Sequence, residues 1–291
     1  MTFRHTLAGP VTACGTALHA GVTVNMTLLP APAGQGVVFV RTDLGGKQIP
    51  ARYDLVSETR LGTVLEQDGV RVGVVEHLMA AVAGAGLDDL TVSLDGPEPP
   101  ILDGDALSYL ALIHKAGIKS QNVARHAFEI LKPVRVSHRD SRASLSPGAG
   151  TYYEFEIEFS AAAIGRQTFA LDFSAANFAQ SIAPARTFGF LKELEALHAV
   201  DMAKGASLEN TLALDEHGLV NPGLMRFPDE FVRHKILDAI GDMALAGAPL
   251  LGRFQGVRSG HATNNALLRA LFADSSAFRR VPFPGTAKAV L

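Results

Sequence analysis

Apolar and polar residues alternate along residues 22–29 (Val-Thr-Val-Asn-Met-Thr-Leu-Leu), a period of two that predicts a half-buried strand. Pro30 to Gly36 breaks the pattern and Val37-Val-Phe-Val-Arg41 resumes it, so the two runs are expected to pair as a hairpin with a longer loop. The period then changes. Val75, Leu78, Met79 and Val82 recur at helical spacing, predicting a helix ended by Gly84 and Gly86. Residues 87–94 read as a strand. Asp103-Gly-Asp105 is placed to cap a helix over 106–116, which Gly117 stops.

Residues 118–127 are polar and without clear periodicity, and a domain boundary is expected near 125, giving 1–125 and 126–291. Beyond it, Tyr153, Phe155, Ile157 and Phe159 alternate with Glu154, Glu156 and Glu158, a strand with one wet face. Pro228-Asp229-Glu230 opens a helix that runs to about residue 246, and residues 250–258 form a further strand. Each half therefore passes from strands to a long helix, a glycine and a strand. Ala83-Gly84-Ala85 and Ala246-Gly247-Ala248 occupy matching helix ends. This weak internal repeat predicts two duplicated α+β domains rather than a doubly wound parallel sheet.

Composition adds bounds. At roughly 100–200 residues per domain, 291 residues suggest two domains. With 47% hydrophobic and 19% charged residues, the chain can build a core and is not of disordered type. A net charge of −3 argues against a phosphate-tracking nucleic-acid binder. Cys14 stands alone, so no intrachain disulfide or cysteine zinc finger can form, and a reducing cytoplasm fits. The first residues lack the apolar run of a signal peptide. Residues 11–40 carry no Asp, Glu, Lys or Arg, but Thr12, His19, Asn25, Pro30 and Pro32 make them strands and turns rather than a membrane span.

The helix over 231–247 holds the informative spacing. His234 and Asp238 lie four residues apart on one face, and Asp242 follows with a small drift. An imidazole and a carboxylate so placed can bind one metal, although the same spacing describes an ordinary surface pair. Glu76-His77 sits at the start of the earlier helix; it is not an H-E-x-x-H motif, yet a carboxylate beside a ligating imidazole can stand near a metal-bound water. Ser259-Gly-His261, followed by Asn264-Asn265, offers a possible general acid. Two histidines and one aspartate leave a coordination position open, as in catalytic zinc sites, and zinc brings the pKa of bound water to about 7. The same donors describe the non-haem iron triad, and spacing alone does not choose the metal.

These motifs, with TACGTALHAG, VEHLMAAVAGAGLDDLTV, PEPPILDGDA, ARTFGFL, SLENTL, NPGLMRFPDEFVRHKILDAIGDMALAG and GRFQGVRSGHATNN, closely resemble the zinc-dependent UDP-3-O-acyl-N-acetylglucosamine deacetylases of lipid A synthesis. The resemblance implies two two-layer α/β sandwich domains with helices packed between the sheets and an active site at their interface. It implies Zn2+, with Fe2+ as the other candidate, on His77, His234 and Asp238. Glu76 matches the general base, His261 the general acid, Asp242 the residue that orients His261, and Thr187 a hydroxyl stabilising the oxyanion. Lys235, Phe188, Phe190 and His19 match residues near the substrate.

The implied partner is a small acylated UDP-sugar, with no nucleic acid, no stable membrane anchor, a monomeric state and a cytoplasmic location. Two departures stand out: Ala17 where the family often has glycine, and Gly62 where it often has a cysteine near the metal. Two rival readings remain at this stage. One is a relative that keeps the fold without catalysis, and the other is a zinc amidase for a different acylated sugar.

Overall fold

The computed structural model describes residues 2–285. Its first part contains β1 (Phe3–Leu7), β2 (Val11–Thr16), β3 (Thr23–Pro30), β4 (Val37–Arg41), β5 (Lys47–Pro50), β6 (Val56–Glu58), β7 (Val64–Gln67) and β8 (Val70–Val72). Helix α1 (Glu76–Ala85), β9 (Leu90–Leu94), α2 (Leu107–Ala116) and β10 (Ile118–Ala124) complete it. Alternation in β3 is as expected: Val24, Met26 and Leu28 are buried while Thr23 and Asn25 are exposed. The hairpin expectation is overturned. Strand β9 lies between β3 and β4, antiparallel to the first and parallel to the second, so that Val92 faces both Leu28 and Phe39. Leu90, Val92 and Leu94 are fully buried, which favours the central position. A strand arriving some fifty residues later leaves no trace in the local pattern of β3 and β4.

The second part runs through β11 (His126–Ile130), β12 (Val134–His138), β13 (Ser141–Ser146), β14 (Thr151–Glu158), β15 (Arg166–Asp172) and α3 (Ala175–Ser181). It continues with β16 (Phe188–Phe190), α4 (Leu191–His198), β17 (Leu212–Leu214), α5 (Glu230–Ala244), β18 (Leu250–Val257), α6 (His261–Ala273) and β19 (Phe278–Pro282). Strand β18 pairs antiparallel with β13 and parallel with β14; β12 and β15 pair antiparallel outside these. Order and directions match β2-β3-β9-β4-β5. Residues 118–124, non-periodic in sequence, form β10, an exposed strand antiparallel to β1. With both faces largely wet, it has no reason to alternate.

Helices α1, α2, α5 and α6 form packed pairs, and α2, α5 and α6 also pack on strands. Helix α1 packs on α2 and α5, α2 on β2, α5 on β14 and β15, and α6 on β12 and β13. The α1–α5 contact is the closest: a Cβ on Gly241 would stand 2.0 Å from the carbonyl oxygen of Glu76. Gly84 is a second close approach rather than the expected helix end. A Cβ there would meet the Phe178 ring at 2.1 Å, and the helix stops at Gly86, whose left-handed φ of 70° suits the cap. Asp105 caps α2 by accepting the Ser108 N–H at 3.0 Å, as the sequence indicated. Helix α5 ends at Ala244, two residues before the expected point. No helix among the described residues is long and apolar enough to cross a membrane, and residues 11–40 form β2, β3 and β4 with their connections.

Replacing Gly241 with alanine gains about 1 kcal/mol of helix propensity. It also forces the two backbones apart, and overpacking of this kind costs about 1–3 kcal/mol, with a contact to rigid backbone towards the upper end. Gly241→Ala should therefore unfold at lower temperature or denaturant than the wild type; an unchanged midpoint would refute the close approach.

Candidate metal centre

Helix α1 begins at Glu76, so Glu76 and His77 project from its first turn. Helix α5 passes against that turn and presents His234 and Asp238 one turn apart. Ligand atoms of His77, His234 and Asp238 all lie within 4.8 Å of one another, and all three residues are buried. The Nε2 atoms of His77 and His234 stand 3.6 and 3.4 Å from Asp238 Oδ1. The two imidazoles meet edge to face, 4.9 Å between centroids.

The donor chemistry suits a cation. Asp238 Oδ1, the oxygen both imidazoles face, has no hydrogen-bond donor among the described residues, and neither has His77 Nδ1 a partner. A buried carboxylate oxygen without a donor is costly unless a cation meets it. His234 Nδ1 donates to the Ala185 carbonyl at 3.1 Å, leaving Nε2 as the lone-pair nitrogen. Burial pushes the His234 pKa down to about 3 against the opposing pull of Asp238, so the ring is neutral. Burial works against an ionised Asp238 too, but the Lys235 ammonium beside it holds it well below the usual carboxylate range. Lys235 Nζ lies 2.5 Å from Asp238 Oδ2. Burial tends to discharge that ammonium; the charge and hydrogen bond of Asp238 outweigh it and raise its pKa.

Beside this triad stands a second set. Glu76 Oε2 accepts the Thr63 N–H at 2.9 Å, and Oε1 lies 3.6 Å from His261 Nε2. Burial pushes the Glu76 carboxyl up, in part against the nearby histidines. His261 opens α6, and its Nδ1–H donates to Asp242 Oδ2 at 2.9 Å. Burial alone lowers the His261 pKa, but Asp242 and Glu76 reverse the sign and raise it to about 9. Asp242 is satisfied at both oxygens, by Asn264 Nδ2 at 2.8 Å and by the Thr63 hydroxyl at 2.6 Å. Sequence reasoning missed Thr63 and Asn264 as site residues. Asn264 was visible only as part of the motif after His261, and Thr63 only as the neighbour of Gly62.

The remaining expected residues surround this core. His19 accepts the Ala203 N–H at Nδ1 and donates from Nε2 to the Leu61 carbonyl, at 3.2 and 3.0 Å, so it ties two loops together. Gly62 lies between His19 and Glu76: a Cβ there would stand 3.1 Å from Glu76 Oε1 and 3.7 Å from His19 Nε2. Ala17 is fully buried and bridges to Pro100. Phe188 meets the His234 ring edge-on at 6.2 Å and joins Phe159, which also contacts Phe190. All three phenylalanines are half-buried. Thr187 precedes Phe188 and follows the Ala185 carbonyl that His234 uses by two residues. Its own N–H donates to Gly104, and no hydrogen bond forms at its hydroxyl among the described residues.

Comparison with known proteins gives a consistent result. The profile of a family described as UDP-3-O-acyl N-acetylglycosamine deacetylase matches residues 4–273. A protein of Myxococcus xanthus is 48% identical over 280 residues, covering 96% of this chain and 89% of its own. One from Phenylobacterium zucineum is 46% identical over 280 residues, covering 95% and 96%. One from Shewanella frigidimarina is 44% identical over 287 residues, covering 97% and 94%. All three carry the name UDP-3-O-acyl-N-acetylglucosamine deacetylase.

Two histidines give the metal-free protein opposite pH dependences. His261, at about 9 in the fold and 6.5 in the free side chain, contributes stability that is complete below pH 6.5 and is lost as pH rises through 9. His234, at about 3 in the fold, makes stability rise with pH between about 3 and 6.5, where only the unfolded chain takes up its proton. Unfolding midpoints of chelator-treated protein should therefore fall more steeply between pH 6.5 and 9 for the wild type than for His261→Gln. Parallel profiles would show that His261 is not held charged.

Proposed function

This chain belongs to the UDP-3-O-acyl N-acetylglycosamine deacetylase family, and on that footing we propose how it hydrolyses UDP-3-O-((R)-3-hydroxyacyl)-N-acetylglucosamine to acetate and the free amine, the committed step of lipid A biosynthesis. The observation that carries the reading is the meeting of His77 from α1 with His234 and Asp238 from α5, directly beside Glu76 and the His261–Asp242 pair.

Zinc is the metal we assign to these three donors; Fe2+ is the alternative the same donors accept. When bound, such an ion supplies a Lewis acid that polarises the acetamide carbonyl and makes water acidic. The chain's own residues do the rest. Glu76 Oε1 accepts no hydrogen bond among the described residues, and its raised pKa suits a base that takes the proton of the attacking water. His261 carries a proton at neutral pH and delivers it to the departing nitrogen. Asp242 holds that imidazole in place and charged. We assign Thr187 to the oxyanion and Lys235, His19, Phe188 and Phe190 to the substrate, Lys235 through its polar headgroup. The half-buried Phe159, Phe188 and Phe190 beside His234 suit an apolar substituent.

We further assign the protein to the cytoplasm as a monomer that binds neither nucleic acid nor a membrane stably. Residues 1–125 and 126–291 are proposed as its duplicated domains, with the site between them. The common strand order of the two sheets supports that division. A non-catalytic relative would be expected to have lost one of the seven metal and catalytic residues; all are present.

Metal analysis joined to a deacetylation assay tests the reading. Glu76→Ala should keep its metal and lose turnover by about 10²–10⁴-fold. His234→Ala should lose the metal. Wild-type protein that leaves the acylated UDP-sugar intact would defeat the function, and equal hydrolysis of an acylated sugar without UDP would favour the broader amidase.

A further inference from the structure

We propose that Thr63 is a positioning residue that sets the base and the acid of the site in register; this rests on the deacetylase reading. Thr63 is 2% exposed and immediately precedes β7. It uses two groups at once. Its N–H donates to Glu76 Oε2 at 2.9 Å, and its hydroxyl donates to Asp242 Oδ1 at 2.6 Å. Among the described residues it alone hydrogen-bonds both carboxylates, which come from different helices, α1 and α5.

The hydroxyl does more than fill a lone pair. An ionised carboxylate only accepts, so the Thr63 proton lies toward Asp242. What Thr63 Oγ1 turns to His261 Nδ1, 3.2 Å away, is then a lone pair. Nδ1 must carry the hydrogen, shared between Asp242 Oδ2 at 2.9 Å and the threonine oxygen. Nε2 is thereby left as the nitrogen that faces Glu76 Oε1 and works on substrate. The loop is held as well: His19 Nε2 donates to the Leu61 carbonyl two residues earlier, and Val75 N–H to that of Thr63. Fixing both catalytic groups from one residue restricts their relative motion, which is where small displacements are costly in rate.

Thr63→Val keeps the backbone donor and the shape but removes the hydroxyl; Thr63→Ser keeps both donors. In metal-loaded protein, Thr63→Val should lower kcat by about 10- to 100-fold, the scale of a lost hydrogen bond to a charged group, with KM and metal content near wild type. Thr63→Ser should recover most of that loss. The His261 Nδ1–H resonance in histidine-labelled protein should shift in Thr63→Val and return in Thr63→Ser. Wild-type kcat in Thr63→Val, a serine variant as slow as the valine one, or a loss confined to KM would each overturn the proposal. Should the wild type prove inactive on the acylated UDP-sugar, the functional reading fails by itself. The resonance then decides: a shift in Thr63→Val supports the positioning role, and an unmoved signal overturns it.

Discussion

Helix α5 can reach His77 of α1 because position 241 has no side chain. Helix pairs ordinarily pack with axes about 8–10 Å apart, held off by the side chains between them. At Gly241 the space for a Cβ is already taken by the Glu76 carbonyl oxygen, so the two backbones touch. Asp238 and Asp242 lie three residues before and one after that point, and Glu76 and His77 are at the crossing on the other helix. Short side chains from both helices can then share one small volume. The site geometry is thus set by backbone approach first and by side-chain choice second.

Such closeness concentrates charge. Glu76, Asp238 and Asp242 are all buried, and three carboxylates in one dry volume repel unless cations join them. Lys235 meets Asp238 Oδ2, and a charged His261 meets Asp242 Oδ2. That leaves Asp238 Oδ1 facing two imidazoles and without a donor among the described residues. A divalent cation at that point would complete the balance. The same imbalance explains the opposite shifts of two histidines a few ångströms apart. His234 gives Nδ1 to a neutral carbonyl and loses its charge to burial, whereas His261 has a carboxylate at Nδ1 and keeps it.

What the sequence discloses follows the range of each interaction. Alternation in β3 and β14 and the capping role of Asp105 are local, and were readable. The i, i+4 spacing of His234 and Asp238 fixed their common face, because helix geometry needs no tertiary knowledge. The position of β9 between β3 and β4 was not readable, since burial of Leu90, Val92 and Leu94 is satisfied by any central place in a sheet. Gly84 looked like a terminator because its packing partner, Phe178, is more than ninety residues away. Residue types offered two histidines and one aspartate as a set, with His77 a candidate from its place beside Glu76, and family resemblance then named His77, His234 and Asp238 together. Thr63 carries no motif at all: its importance arises from two hydrogen bonds spanning 13 and 179 residues.

The shared strand order has a consequence for how the site is assembled. In each sheet the central strand, β9 or β18, follows a helix, α1 or α5, that crosses over the sheet to deliver it. Helix α5 packs on β14 and β15 of its own sheet, and the two crossover helices meet each other. Where they meet, the candidate donors are divided unequally: one imidazole from α1, an imidazole and a carboxylate from α5. Neither helix holds a complete set, so an ion that binds all three favours only the state in which the helices are packed together. Affinity for such an ion and the packing of α1 on α5 would therefore be linked quantities, and a change that loosens the Gly241 contact would weaken the ion's hold even though it touches no donor.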